Sequence, residues 1–306
     1  MNYHTPVLLH ETVRYLNLKP GGVYADGTLG GGGHSEAILT ACPDCRLIGI
    51  DRDGEAIEFA ERRLEPFAGR FTAVRGNFKE IDGILGRLNI DKIDGAVLDL
   101  GISSRQIDSA GRGFSYMKDA PLDMRMDTRQ RLTARDVVNG YGEGRLVRLL
   151  RDYGEEGFAR VIARAIVRER AEAQIETTGR LASIVTGAVP AKFRYGGAPK
   201  KTFQAVRIEV NAELIGLEDA IQSFIDKLNP EGRLAVIGFH SMEDRAAKTV
   251  FKRNAADCLC DKSLPVCVCG HRATVKLIAG PVQPSAEELE HNPRAASAKL
   301  RVVEKI

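Results

Sequence analysis

Long hydrophobic segments are absent from this 306-residue sequence. It contains no run of about 18 apolar residues, so no transmembrane helix is expected. The first residues, MNYHTPVLLHETV, lack a basic stretch followed by an apolar segment and a small-residue cleavage site. We therefore expect no signal peptide and a cytoplasmic location. Cysteine is also scarce, with six residues, and a disulfide framework is not expected in a cytosolic chain of this length.

Charge is nearly balanced over the whole chain but unevenly distributed along it. The formal net charge is +3, yet residues 105–201 contain 19 Lys and Arg against 12 Asp and Glu. A basic segment within a slightly acidic remainder favours a polyanionic partner such as nucleic acid. A solvated helical surface would give the same count, so charge alone leaves both interpretations open.

Short apolar segments alternate with helix-length segments over the first hundred residues. Four of them have the length and composition of buried strands, at residues 23–26, 46–51, 71–74 and 93–100. The intervening segments are long enough for helices, as in residues 54–64, where apolar residues recur at helical spacing. Parallel strands require such crossovers, so the pattern predicts a mostly parallel sheet.

This alternation stops after Gly101. Between residues 109 and 197 no segment has strand character, and helical periodicity recurs instead. We expect helices near residues 133–139, 144–152, 156–173 and 177–188, followed by one long helix from Thr202 to Leu228.

Strand patterns return at residues 233–239, near 274–278 and at 298–304. The simplest architecture is therefore an α/β domain built from both ends of the chain. We assign residues 1–106 and 200–306 to this core, and residues 107–199 to an inserted basic helical subdomain.

Glycine is concentrated where the first strand meets the following helix. Five of the seven residues from Gly27 to Gly33 are glycine, and Asp26 precedes them. Glycines there let the backbone turn sharply and approach a ligand closely. Ser35 is expected to cap the helix. Asp51, which ends the second strand, is placed to accept hydrogen bonds from ribose hydroxyls.

Two classes of nucleoside ligand use such a loop. A dinucleotide requires the spacing G-x-G-x-x-G, but the last position counted from Gly30 is Ser35. S-adenosylmethionine carries no pyrophosphate, and its amino-acid end favours a nearby acid such as Asp26, which would repel a pyrophosphate. The loop therefore favours S-adenosylmethionine, and an NAD-linked dehydrogenase is the alternative enzyme.

Functional side chains are also expected at the ends of three other strands. Phe78 is expected either to contact an adenine ring or to pack in the core. Asp99 ends the fourth strand, where ligand chemistry is more common than a capping role. His240 is expected to orient a base or accept a proton, unless loop hydrogen bonds satisfy it. Ser241 is expected to cap the next helix, with Asp244 three positions on.

Several distinctive motifs are distributed along nearly the whole chain. They are His4–Leu9, Asp26–Thr28, Gly32–Ser35, Ile50–Asp53, Leu98–Ser104 with Gln106, Arg112–Ser115, Pro121–Met126, Thr202–Arg207, Phe239–Arg245 and Asn292–Arg294. Together they resemble the bacterial family of small-subunit (16S) ribosomal RNA cytosine-N4 methyltransferases, the MraW/RsmH type.

The resemblance implies a Rossmann-like S-adenosylmethionine-dependent methyltransferase core with an inserted helical subdomain. It implies S-adenosylmethionine as methyl donor, and a single cytidine in the decoding region of 16S rRNA, within an assembled small subunit, as acceptor. The cofactor contacts that it implies are Gly32, Gly33, His34, Asp51, Phe78, Asp99 and Gln106.

The segment that follows the fourth strand departs from a common amino-methyltransferase motif. Many such enzymes have Asn or Asp followed by Pro-Pro and an aromatic residue, whereas this chain has Asp99-Leu100-Gly101-Ile102-Ser103-Ser104. The Pro-Pro mechanism is therefore not transferred directly. We expect Asp99 to lie between cofactor and base and, with His240, to form the catalytic pair.

RNA binding is expected to use the basic insertion. The target base must leave its stack to reach a methyl donor, and Phe114 or Tyr116 is expected either to stack on it or to pack in the core. A non-enzymatic RNA-binding assembly factor remains the alternative outside enzymes, and the sequence does not decide between a monomer and a homodimer. The candidate phosphate contacts, each with an ion-pair or surface alternative, are Arg112, Lys118, Arg125, Lys200, Lys201 and Arg207.

The six cysteines form two clusters. Cys258, Cys260, Cys267 and Cys269 resemble zinc ligands, but one residue rather than the usual two separates each pair. Free thiols are the favoured interpretation, and no metal ligand is assigned. Cys42 and Cys45 are expected to be structural.

Overall fold

A computed structural model of the chain describes residues 6–103, 106–107, 109–193, 197–261, 264 and 266–306. The chain divides into two compact units. The first unit combines Met1–Gly101 with Gly216–Ile306, and the second is Ile102–Ile215. The sequence assignment placed the corresponding boundaries at residues 107 and 199, so the second unit is longer at both ends than the predicted insertion.

A seven-stranded sheet forms the centre of the first unit, in the order β3-β2-β1-β4-β5-β7-β6. The first five strands in this order are parallel, and β7 pairs antiparallel with both β5 and β6. The predicted mostly parallel, Rossmann-like sheet is confirmed. The strands are β1 Val23–Asp26, β2 Arg46–Asp51, β3 Phe71–Arg75, β4 Ile93–Asp99, β5 Leu228–Gly238, β6 Val275–Val282 and β7 Lys299–Lys305.

Helices precede and connect these strands. The central strands are apolar and buried, as in β4, where Ala96, Val97 and Leu98 are fully buried, because helices cover both faces of a parallel sheet. The helices of this unit are α1 Leu9–Leu16, α2 Gly33–Ala41, α3 Gly54–Arg63, α4 Ile81–Arg87, α10 Leu217–Lys227, α11 Ser241–Asn254 and α12 Ala286–His291.

The second unit is helical, as the sequence predicted. A capping box between Thr133 and Asp136 starts the helix Ala134–Gly140, and the four predicted helices between residues 133 and 188 are confirmed within a few residues. Their apolar faces enclose a separate core that includes Met124 and Ile162. The helices are α5 Ala134–Gly140, α6 Glu143–Asp152, α7 Ala159–Glu172, α8 Thr178–Ala188 and α9 Ala198–Asn211.

The prediction of a single long helix from Thr202 to Leu228 is wrong. The chain forms α9 and α10 instead, and the segment between them marks the boundary of the two units. Ala212 has a φ of 48° and Gly216 a φ of 68°, a left-handed conformation that ends one helix and precedes the next. Among the described residues, no helix is long and apolar enough to cross a membrane.

Candidate functional site

The carboxyl ends of five parallel strands lie along one edge of the sheet. In the register of the sheet, Asp26 is paired with both Gly49 and Val97, and Asp99 is paired with Ile237. Asp51 ends the strand next to β1. Open α/β sheets bind ligands at this edge, where successive connections leave in opposite directions. The predicted acids at the ends of β1, β2 and β4 are therefore brought together.

Backbone hydrogen bonds hold the glycine loop across the strand ends. The Gly27 amide donates to the Val97 carbonyl at 2.9 Å, and the Leu29 amide donates to the Ile50 carbonyl at 2.9 Å. A Cβ atom on Gly27 would lie 2.4 Å from Leu98 Cδ2. Glycine is therefore required here by packing.

The helix after the loop starts earlier than the expected Ser35 cap. Gly32, with a φ of 74°, occupies the N-cap position of α2, and Gly33 is its first residue. Ser35 lies inside the helix, and its hydroxyl donates to Asp26 Oδ2 at 2.7 Å. The prediction of a Ser35 cap is wrong, because this hydroxyl bonds to a distant carboxylate instead of to its own helix.

Asp26 is the buried anchor of the glycine loop. Its side chain is 1% exposed, and Oδ1 accepts a hydrogen bond from the Thr28 amide at 3.1 Å. Burial raises the pKa of Asp26 to about 6, even though the hydrogen bonds from Ser35 and Thr28 oppose the shift. Both carboxyl oxygens thus bond within the protein.

Asp51 connects β2 to the glycine loop. Its Oδ2 accepts a hydrogen bond from the Gly30 amide at 2.8 Å, and Oδ1 accepts one from the Asp53 amide at 2.9 Å. Burial raises the pKa of Asp51 above its ordinary value. Each carboxylate oxygen has two lone pairs, so these bonds orient the group without exhausting its capacity to accept bonds from hydroxyls.

Phe78 follows β3 and lies beside the loop. Its side chain is buried, and a Cβ atom on Gly27 would lie 3.2 Å from Phe78 Cβ. The Asn77 side chain accepts a hydrogen bond from the Lys79 amide, which fixes the turn. The packing interpretation of Phe78 is thus present in the structure, and its contact with an adenine ring stays a prediction.

Asp99 has a carboxyl oxygen that the rest of the protein does not use. Oδ1 is buried and has no hydrogen-bond partner among the residues that the structure describes, while the side chain as a whole is 24% exposed. Burial, followed by the negative charges of Asp26 and Glu243, raises the pKa of Asp99 well above its ordinary value. A buried polar atom without a partner is costly, and the contact of Asp99 with a ligand stays a prediction.

Thr28 and His34 lie beside Asp99. The Asp99 amide donates to Thr28 Oγ1 at 2.6 Å, a contact that the sequence analysis missed although Thr28 lies within the Asp-Gly-Thr motif. His34 is buried, and its Nε2 lies 3.1 Å from the Val7 carbonyl oxygen. A carbonyl can only accept, so Nε2 carries a proton. The other ring nitrogen, Nδ1, lies 3.8 Å from Asp99 Oδ2.

His240 has a structural role at the start of α11. It is the N-cap of α11, and its Nδ1 accepts a hydrogen bond from the Glu243 amide at 3.4 Å. Glu243 Oε2 accepts in return from the amides of Phe239 and His240. The predicted capping pair of Ser241 and Asp244 is wrong, because the capping box is formed one residue earlier. A catalytic role of His240 stays a prediction.

A family model described as the MraW methylase family matches residues 1–306. The chain belongs to this family. Curated relatives align with this chain over nearly the whole length of both proteins. "Ribosomal RNA small subunit methyltransferase H" of Clostridium botulinum is 53% identical over 306 residues, covering 99% of each chain. The protein of the same name from Carboxydothermus hydrogenoformans is 50% identical over 305 residues, covering 99% of this chain and 98% of its own.

Solved structures are much more distant. A rRNA methylase from Streptococcus thermophilus covers 99% of both chains with 11% identity and a TM-score of 0.43. SMU.1697c from Streptococcus mutans, solved in complex with SAH, covers 100% of both chains with 12% identity and a TM-score of 0.45. Likeness at this level adds nothing to the family assignment.

As a member of this family, the chain is an S-adenosylmethionine-dependent methyltransferase, and the chemistry of its strand ends is compatible with that cofactor. Asp26, Asp51 and Asp99 end the neighbouring strands β1, β2 and β4, so this edge gathers three carboxyl groups that carry negative charge when ionised. S-adenosylmethionine carries a sulfonium and an ammonium group, whereas a dinucleotide carries a pyrophosphate. Negative charge favours the former ligand and repels the latter. Membership of this methyltransferase family decides against the NAD-linked alternative.

Gln106, a predicted cofactor contact, belongs to the second unit. Its side chain is buried, and its Oε1 accepts a hydrogen bond from the Ser103 amide at 3.1 Å. Its own amide donates to Ser103 Oγ at 3.2 Å. The neighbouring Ser104 lies outside the described residues, and cofactor binding by Gln106 stays a prediction.

Several candidate phosphate contacts have internal partners. Arg112 donates to the carbonyls of Arg125 and Met126, and Arg125 forms a bidentate pair with Asp123. Phe114 is buried, and Tyr116 packs edge-on against Phe203 with ring centroids 5.2 Å apart. Two of the remaining candidates also have partners within the protein: Arg207 pairs with Glu213, and Lys201 donates to the Glu155 carbonyl. Lys118 and Lys200 are exposed.

Proposed function

We propose that this methyltransferase transfers a methyl group to the exocyclic N4 amine of a cytidine in the decoding region of 16S rRNA. The proposed acceptor is the assembled small ribosomal subunit in the cytoplasm. Two observations support this target. The curated relatives that match the whole chain are named ribosomal RNA small subunit methyltransferases, and the ordered motifs resemble the cytosine-N4 family.

The observation that carries the proposed chemistry is the unpartnered Oδ1 of Asp99 at the end of β4. The lone pair of a cytosine N4 amine is delocalised into the ring, which makes the amine a poor nucleophile. A hydrogen-bond acceptor for the N4 hydrogens localises that lone pair. The Asp99 carboxylate is such an acceptor, and it lacks a competing hydrogen bond at Oδ1 among the described residues.

Proton transfer completes the reaction. S-adenosylmethionine, when bound, supplies an activated methyl group and departs as a neutral thioether. When N4 forms its new bond to carbon, it becomes positively charged and must release one proton. In this proposal Asp99 takes the proton, because burial raises its pKa and makes its carboxylate a stronger base than an ordinary Asp. Asp51 and the glycine loop would hold the nucleoside end, and the Thr28 hydroxyl, which accepts from the Asp99 amide, would fix the backbone at Asp99.

The second unit offers a surface for the rRNA backbone. Arg148 and Arg151 on α6 and Arg160 on α7 are exposed, and none of the three forms an ion pair with another described residue. The helices α6 and α7 pack against each other. Unpaired arginines are suited to phosphate contacts, so we assign backbone binding to this surface and not to Arg112, Arg125 and Arg207.

Mapping of modified nucleotides tests the target. Small-subunit rRNA from cells that lack the protein is digested and compared with wild-type rRNA by mass spectrometry. We expect loss of one methyl group from a decoding-region cytidine, with recovery when the wild-type gene is restored and none with the Asp99→Asn variant. An unchanged methylation map, or loss at another type of base, would refute the target.

A further inference from the structure

Four cysteines come together in the segment between α11 and β6. The segment follows α11 after Asn254 and joins β6 at Val275, and the Thr274 amide closes its base by donating to the Asn254 carbonyl at 2.8 Å. Its described residues form neither helix nor strand. The cysteines are Cys258 and Cys260 on the outgoing arm and Cys267 and Cys269 on the returning arm.

Apolar burial does not hold this segment in place. Val266 and Val268 are 71% and 77% exposed, and Leu259 and Leu264 are also exposed. Ordering a loop of this length has a large cost in conformational entropy, which contacts or cross-links must offset. The cysteine sulfurs are the groups that bring the two arms together.

The separations of the sulfur atoms match a tetrahedral metal site. Cys258 Sγ lies 3.4 Å from Cys267 Sγ and 3.8 Å from Cys269 Sγ, and Cys267 Sγ lies 3.7 Å from Cys269 Sγ. All four sulfurs, including that of Cys260, lie within 4.8 Å of one another. Four sulfurs around one zinc ion, with Zn–S bonds of about 2.3 Å, are about 3.8 Å apart. An iron–sulfur cluster would need them farther apart.

Backbone amides point at three of these sulfurs. The Leu259 and His271 amides donate to Cys269 Sγ at 3.4 and 3.5 Å, and the Val268 amide donates to Cys260 Sγ at 3.3 Å. The Cys260 amide donates to Cys258 Sγ at 3.4 Å. Donated hydrogen bonds stabilise thiolates, which are the form that binds a metal.

We infer that Cys258, Cys260, Cys267 and Cys269 bind one structural Zn²⁺ ion that joins the two arms of this segment. Four thiolates complete a tetrahedral shell, so the ion has no open position for a substrate and serves the fold. The one-residue spacing within each pair argued against zinc in the sequence. The fold removes this objection, because the two pairs approach from opposite arms and supply two sulfurs each.

Metal analysis of the purified full-length protein tests the inference. The protein is prepared in reducing buffer without chelators, and bound metals are measured by mass spectrometry. We expect one zinc per chain, and near-complete loss of zinc in the Cys258→Ser/Cys269→Ser variant. The matched control is Cys42→Ala/Cys45→Ala, which removes the same number of thiols from a buried pair and retains zinc. A wild-type protein without metal, one carrying iron, or a serine variant that keeps its zinc would overturn the inference.

Cobalt substitution gives a second readout that does not depend on the variants folding. Wild-type protein stripped of metal under reducing conditions is titrated with Co²⁺ alone. We expect intense visible bands of tetrahedral cobalt, with thiolate-to-metal charge transfer, that saturate at one equivalent and disappear on addition of Zn²⁺. The weak spectrum of octahedral cobalt would contradict a four-sulfur site.

Discussion

Asp99 is the residue on which the proposed chemistry depends most. Changing Asp99 to Asn keeps the size of the side chain but removes the base. We expect the turnover rate to fall by roughly 10²–10⁴-fold, the usual contribution of a positioned general base, with a smaller change in S-adenosylmethionine affinity. The matched control is Asp91→Asn, an exposed acid before the start of β4. Full turnover and full cofactor affinity in Asp99→Asn would refute the role.

The raised pKa of Asp99 also predicts a pH dependence. The base acts only when deprotonated, so kcat/KM should fall as the pH decreases through the raised pKa and reach a plateau above it. The Asp99→Asn variant should lack this limb in its residual activity. Methyl transfer to small subunits, measured over a pH series with wild-type and variant protein, checks both statements. The same limb in the variant would assign the titration to another group.

The raised pKa of Asp26 predicts that the free energy of unfolding depends on pH. Its folded-state pKa is about 6, above the ordinary value of 3.8, so the folded protein holds a proton that the unfolded chain has released between these pH values. The contribution of Asp26 to stability therefore falls as the pH rises through this window, by about 3 kcal/mol in total. Denaturant unfolding at pH 4 and pH 7 should show the Asp26→Asn variant gaining stability relative to wild type at the higher pH. A pH-independent difference between the two proteins would contradict the shift.

At the scale of the element, the glycine loop is constrained by what packs against it. A Cβ atom on Gly33 would lie 2.2 Å from Pro6 Cγ, so Pro6 and the start of α2 cannot both keep their positions in Gly33→Ala. We expect a loss of about 1–3 kcal/mol in unfolding free energy and weaker S-adenosylmethionine binding. The control, Gly86→Ala in α4, meets nothing within 4 Å and should be neutral or stabilising because alanine favours helix. Equal stability of both variants would contradict this packing.

The helices α6 and α7 carry the proposed rRNA surface. Reversal of charge in Arg148→Glu/Arg151→Glu should raise KM for small subunits about tenfold at low salt, with little change in kcat. Arg62→Glu/Arg87→Glu is the matched control, because these exposed arginines end α3 and α4, at the edge of the sheet opposite the strand ends. An equal rise in KM in both double variants would indicate a general effect of net charge and would contradict the assignment of the rRNA surface to α6 and α7.

At the scale of the whole molecule, the sequence predicted the strands and most helices correctly because their apolar periodicity reflects burial. It failed where a contact joins residues far apart in the chain. Local sequence patterns do not predict the hydrogen bond from the Ser35 hydroxyl to Asp26 or the one from the Asp99 amide to Thr28. His240 was not expected as a helix cap because serine is the commoner capping residue. The break after α9 was missed because Ala212 is a strong helix former, and its left-handed conformation is imposed by tertiary structure.

The most direct measurement is methyl transfer with purified components. Small subunits isolated from cells that lack the enzyme are incubated with the purified protein and labelled S-adenosylmethionine, and the modified nucleotide is identified by digestion and mass spectrometry. The account predicts one labelled methyl group on N4 of a decoding-region cytidine, and none when Asp99 is replaced by Asn. Label on another atom or base, or undiminished label with Asp99→Asn, would contradict it.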